Sequence, residues 1–197
     1  MIYKTIRHII FLITILFTFS KSTDFLNKQF GVIINAGKHF SIFEISANDQ
    51  TEYRYVIYKE GGEIAKTENT FRRCPEIKYI FNETALSISI AVGTGTDISQ
   101  YYDINQDIFS HYFESPLLVE YGKVCYIDYW NNDYKLVVSN PFDEKEYYVE
   151  YILEMSPVAN PKDAVKFVEF INETELKIIY LSGVNYLKKT EIFYLPK

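Results

Sequence analysis

The residues best suited to acid–base work in this 197-residue chain are two histidines, His39 in Gly37-Lys38-His39-Phe40 and His111 in Ser110-His111-Tyr112-Phe113. Both sit among aromatics, where a histidine is ordinarily a packed or surface residue. No G-x-S-x-G elbow presents a nucleophile. Gly93-Thr94-Gly95-Thr96 lacks the lysine and the spacing of a phosphate loop. The 26 acidic residues are scattered, so no carboxylate pair of a glycosidase stands out from the rest. The expectation is a binding protein, not an enzyme, with no cofactor. Cys74 and Cys125 are the only cysteines, and neither a CxxC nor a Cys/His cluster supports a metal. In an oxidising compartment such a pair forms one disulfide, worth about 4 kcal/mol for a loop of this length; two buried free thiols are the alternative.

Aromatic side chains are the richer resource, with 18 Tyr and 15 Phe. They fill β cores readily, and tyrosine also offers a ligand both an apolar face and a hydroxyl. Tyr53, Tyr55 and Ile57 share one side of an alternating run and are the candidate ligand-binding positions.

The elements that must position these residues begin after a leader. Met1–His8 is basic, Ile9–Phe19 is apolar, and Thr18-Phe19-Ser20 and Ser20-Lys21-Ser22 are small-x-small sites. This is the layout of a secretory signal peptide over residues 1–22, and the apolar run is too short for a spanning helix. The expected product is a secreted, extracellular chain, residues 23–197, with no membrane insertion. Removing Lys4, Arg7 and Lys21 leaves 17 basic against 26 acidic residues, a net charge of −9. Such a chain repels phosphate backbones, which argues against nucleic acid as a partner. Asn82-Glu83-Thr84 and Asn172-Glu173-Thr174 are glycosylation sequons, so Asn82 and Asn172 are expected at the surface.

Period-two alternation dominates the rest. Leu86, Ile88 and Ile90 alternate with Ser87, Ser89 and Ala91; Val149, Tyr151 and Leu153 alternate with Tyr148, Glu150 and Ile152. Gly61-Gly62 is a hairpin signal. About eight such runs predict an all-β antiparallel barrel or sandwich. Asn160-Pro161-Lys162-Asp163 then reads as a capped helix start, and Ala164, Phe167, Val168 and Ile171 have helical spacing, which predicts a helix near 161–172. Two echoes suggest duplication, "FNETALSI" with "INETELKI" and Gly37-Lys38 with Gly122-Lys123, but their offsets of 90 and 85 disagree.

"CYIDYWNNDYKLVV" at 125–138 resembles the second conserved region of the lipocalins, with Asp128-Tyr129 at its Asp-Tyr and Tyr134 at the following Tyr. The final strand, linker and helix resemble that family's C-terminal layout. Gly31 stands at the Gly of the opening G-x-W region, where Ile33 replaces the Trp. The resemblance implies one domain, an eight-stranded up-and-down barrel with one C-terminal helix. It also implies a small, mostly apolar ligand in the barrel cavity, with Gly31, Asp128 and Tyr129 as structural positions at the closed end. The competing architecture is two tandem immunoglobulin-like β-sandwiches, or another β-sandwich, recognising a protein partner or a glycan.

Overall fold

In the computed structural model, residues 31–196 are described, apart from 48–49, 94 and 131–132. The signal peptide expected over 1–22 lies outside the described residues. The chain is all-β. Among the described residues sixteen strands form four antiparallel sheets. Among the described residues no sheet closes on itself into a barrel.

The contacts divide the chain into two compact units, Met1–Pro75 and Glu76–Lys197. The first holds the sheet β1 (Val32–Gly37), β2 (Phe40–Ala47), β3 (Gln50–Tyr58) and β4 (Ile64–Phe71). The Gly61-Gly62 signal marks the β3–β4 hairpin. Both glycines have positive φ, 93° and 88°, which a Cβ would oppose. One face of this sheet packs Phe43 and Val56 with Ile33 and Tyr58. The other carries Ile42, Tyr55 and Ile57, each at most 1% exposed. Gly31 enters β1 at φ +110°, and a Cβ there would run into the Glu44 carbonyl oxygen.

The second unit holds three sheets. The first contains β5 (Glu76–Ile80), β6 (Ala85–Ala91), β7 (Asp97–Asp103) and β8 (Ile108–Phe109), with β9 (Phe113–Glu114) also on β7. Next come β10 (Leu118–Glu120), β11 (Lys123–Trp130), β12 (Asp133–Ser139) and β13 (Tyr148–Leu153). Last are β14 (Val165–Asn172), β15 (Glu175–Ser182) and β16 (Leu187–Tyr194). Apart from β9, every strand pairs with its neighbours in sequence. These are plain meanders, unlike the Greek-key pairing of immunoglobulin domains.

The β10–β13 sheet is apolar on both faces, which explains the unbroken runs "VCYI" and "LVV". Val124 and Tyr126 meet Tyr101 and Phe113 of the β5–β9 sheet. Cys125, Leu136, Val138 and Leu153 point the other way, into a core shared with Phe170, Leu176, Ile178 and Tyr180 of the last sheet. Full burial of each such side chain is worth about 1.5–3 kcal/mol. In β13 the expected alternation holds: Val149, Tyr151 and Leu153 face this core, and Tyr148 and Ile152 are exposed.

The four sheets begin at Val32, Glu76, Leu118 and Val165, in steps of about 42 to 47 residues. Both sequence echoes fall on the same part of this repeat. Gly37-Lys38 and Gly122-Lys123 sit at the first hairpins of the first and third sheets, and the two Asn-Glu-Thr segments at those of the second and fourth. Each echo thus joins the first hairpins of sheets two apart in the chain, and the offsets of 85 and 90 differ as the spacings of those sheets do.

The C-terminal helix is a correction. Within 161–172 the helix is confined to Pro161–Ala164 (α1); the Asn160 side chain accepts from the Lys162 N–H at 3.0 Å, and residues 165–172 are strand β14. Pairing with β15 shifts register between Val165 and Phe167 and again between Phe170 and Asn172. Each bulge displaces the alternation by one residue, so Val165, Val168 and Phe170 face the core while Phe167 and Ile171 are exposed.

Candidate functional site

The sequence-derived positions do not converge on one site. Tyr53, Tyr55 and Ile57 do share a face of β3. Tyr55 and Ile57 are buried, and Tyr55 stacks on Phe71 at 5.9 Å between ring centroids. They are core side chains of the first sheet and line neither of the clefts described below. Cys74 and Cys125 each stand as a free thiol, Cys74 exposed and Cys125 buried. The Cys74 thiol is 3.6 Å from the Pro75 carbonyl oxygen, and burial pushes it up in pKa. Cys125 is wholly buried among Leu136, Val138 and Ile178, and that burial raises its thiol strongly. Asn82 and Asn172 are exposed at hairpin turns.

Asp128 and Tyr129 lie at an open cleft of about 400 Å³ in the second unit. It forms where β10 leaves β11. Those strands pair only from Leu118↔Cys125 to Glu120↔Lys123, and the Leu117 N–H donates to the Cys125 carbonyl at 2.8 Å. Before that point the chain from His111 to Leu117 swings away and becomes one wall. The second half of β11, Tyr126–Tyr129, is the floor, and Asn160-Pro161-Lys162 at the start of α1 is the other wall.

Each wall is anchored. Phe113 is 2% exposed and sits between His111, at 4.1 Å between centroids, and Tyr126, at 5.3 Å edge-on. The Ser110 hydroxyl donates to the His111 carbonyl and accepts from the Tyr101 N–H. On the far wall Lys162 Nζ pairs with Asp97 Oδ1 at 2.9 Å, and Asn160 Nδ2 donates to the Gly95 carbonyl at 3.3 Å. The capped turn that begins α1 thereby ties the cleft wall to β7. Tyr129 stacks on Tyr134 at 4.7 Å, which holds a half-exposed ring at the mouth. Tyr126 is partly buried, and burial raises its hydroxyl pKa.

The chemistry offered is therefore aromatic surface with carboxylates at its rim. Tyr112 and Tyr129 are exposed, as are Glu114 and Asp128. His111 Nε2 lies 3.7 Å from Glu144 Oε1. Among the described residues no group of three or more His, Cys, Asp or Glu is placed to hold a metal ion, and no helix is long and apolar enough to cross a membrane.

A second cleft of about 380 Å³ lies near the start of β11, with Asp103, Asn140 and Asp143 in its lining. Its polar groups are committed to their own loops. Asp103 Oδ1 accepts the Asn105 and Gln106 N–H groups, Asn140 Oδ1 those of Phe142 and Asp143, and Asp143 Oδ1 that of Lys145.

The sequence singled out Asp128 and Tyr129 as structural positions and not as cleft residues, and it gave no sign of His111–Leu117 and Asn160–Lys162 as their neighbours. The cap signal at Asn160 was legible; that it borders β11 depends on tertiary packing. No protein-family model, curated protein or solved structure compared with the chain matches it.

Proposed function

We propose that the chain is a secreted recognition protein, built from repeated β-meanders, that binds its ligand in the open cleft at Asp128-Tyr129. The observation that carries this reading is the coincidence, in one anchored cleft, of exposed aromatic rings with rim carboxylates. Rigid aromatic rings supply contact area at little entropic cost, and polar groups around them orient what binds. The leader over residues 1–22 supports secretion, and the mature charge of −9 favours partners that are not polyanions. The lipocalin resemblance supports a rival reading, an apolar ligand enclosed in a barrel.

The test uses the mature chain and single variants Tyr129→Ala and Asp128→Asn, checked for folding by circular dichroism. Three probes are titrated: a fluorescent fatty acid, an array of neutral glycans and a library of linear peptides. Binding of a glycan or peptide that weakens about tenfold or more in either variant supports the cleft. Saturable binding unaffected by both variants, or fatty-acid binding abolished by Tyr55→Ala alone, overturns it.

A further inference from the structure

We propose that β16 pairs edge to edge with β16 of a second copy of this chain, antiparallel and about a two-fold axis at Thr190, so that the two three-stranded last sheets become one. None of the β16 residues lines the Asp128 cleft. Three features of the molecule point to this surface.

The first is an open sheet edge. β15 pairs with β16 along its whole length, from Glu175↔Tyr194 to Ser182↔Leu187, without a shift of register. Among the described residues no other strand pairs with β16. The Leu195 N–H donates to the Thr174 carbonyl at 2.8 Å, so antiparallel alternation turns the backbone groups of Phe193, Glu191, Lys189 and Leu187 towards β15. Those of Lys188, Thr190, Ile192 and Tyr194 turn outward. The Tyr194 carbonyl, at the end of that edge, takes the Tyr151 hydroxyl at 2.8 Å. Lys188, Thr190 and Ile192 are exposed, and their outward N–H and C=O groups are a template for a further strand.

The second is charge. Lysine on an edge ordinarily deters an incoming strand, and β16 carries Lys188 and Lys189. A strand that brings carboxylates opposite them is the exception. Lys189 Nζ lies 3.2 Å from Glu154 Oε2 and 3.0 Å from Glu191 Oε1, and the Tyr180 hydroxyl donates to Glu191 Oε2 at 2.9 Å. With the axis at Thr190, Lys189 stands opposite Glu191 of the second copy, and Glu191 opposite its Lys189. The four charges then alternate. An axis at Lys189 or at Glu191 sets that residue against itself, and like charges directly opposite destabilise a sheet. An axis at Lys188 opposes two lysines, and one at Ile192 sets Glu191 against phenylalanine. Charge therefore selects one register, with a partner of the same sequence. The chain carries 26 acidic against 20 basic residues, so two copies repel over most of their surface. Along this edge Lys188 and Lys189 balance Glu191 and Glu154.

The third is apolar surface. Leu187 is 66% exposed and Ile192 49%. The two-fold brings Leu187 opposite Phe193 of the second copy, a ring that stacks on its own Tyr151 at 4.3 Å. Ile192 comes opposite Lys188, whose stem can cover it while the ammonium stays in water. A two-fold contact of this kind uses the same patch on both copies and closes at two.

The experiment is sedimentation equilibrium of the mature chain over a range of concentrations, with folding of each variant checked by circular dichroism. The expected result is a monomer–dimer equilibrium. Thr190→Pro removes an outward N–H and no bond to β15, a place where an edge strand accepts proline; it should weaken the dimer about tenfold or more. Lys189→Glu and Glu191→Lys each set like charges opposite and should weaken it about as much. A one-to-one mixture of these two variants should dimerise again, because each then meets the opposite charge. If Thr190→Pro fails to fold, the mixture decides. A chain monomeric at every concentration overturns the proposal, as does a species larger than a dimer. So does a dimer that Thr190→Pro leaves unchanged, one that survives either charge variant, or a mixture of the charge variants that stays monomeric.

Discussion

Burial separates the two cysteines at the residue scale. Cys125 Sγ lies in the core between the last two sheets, whereas Cys74 is exposed. Two free thiols are therefore expected on the mature chain, with Cys74 alkylated by iodoacetamide in the native state and Cys125 only in denaturant. Peptide mapping that links the two sulfurs contradicts this. A second residue-scale expectation concerns Glu60. The Lys38 ammonium, and then the His39 ring, hold its carboxyl below the ordinary value of 4.5. Lys38 Nζ and His39 Nε2 approach its oxygens at 2.7 and 2.9 Å. A lowered carboxyl favours the fold above its unfolded pKa, and that contribution fades as pH falls through the lowered value. Glu60 is surface-exposed, so the effect is small and salt-sensitive. In urea titrations between pH 7 and pH 3, the midpoint of Glu60→Gln should fall less than that of the unsubstituted chain.

At the scale of elements, β14 shows how a local pattern misleads. "AVKFVEFINET" carries a cap, a proline and helical spacing, all of which are real, yet the helix ends after one turn at Ala164. β-branched Val165 and Val168, with Phe167 and Phe170, suit a strand, and pairing with β15 gives six of its eight residues a cross-strand partner. The two arrangements rank the phenylalanines oppositely. In the strand Phe170 is 7% exposed and Phe167 is 43% exposed. Phe170→Ala should then cost about 3 kcal/mol and Phe167→Ala less than about 1 kcal/mol in equilibrium unfolding. The reverse order would restore the helix. The same segment's cap has a second use. Asn160→Ala should cost about 1 kcal/mol and also loosen the wall of the Asp128 cleft, so affinity for the cleft's ligand should fall along with stability.

For the whole molecule, the leader and the two sequons can be examined on protein secreted from eukaryotic cells. The mature amino terminus should lie within a few residues of Ser22, and deglycosylation should lower the mass by two glycans, lost singly in Asn82→Gln and Asn172→Gln. Both asparagines are exposed at first hairpins of their sheets, where a glycan projects without disturbing a core. An unprocessed leader would reject secretion, and an unshifted mass would reject modification.

Strand chemistry was written locally, because β alternation, Gly61-Gly62 and turn residues act over a few positions: the all-β class, the β3–β4 hairpin and the half-buried face of β13 followed from the sequence alone. Asp128-Tyr129 was singled out from a short motif, although its place at the cleft was not visible there. The grouping into four meanders was hidden for a physical reason. A repeat's inward positions accept any apolar side chain of suitable size, so only turn residues retained an echo, and only across two unequal repeats. Tertiary structure alone decided that Cys125 turns into the core, that bulges carry β14 as a strand, and that β10 departs from β11 early enough to leave Tyr126–Tyr129 facing an open cleft. Each depends on what a strand finds beside it, which the sequence of that strand does not contain.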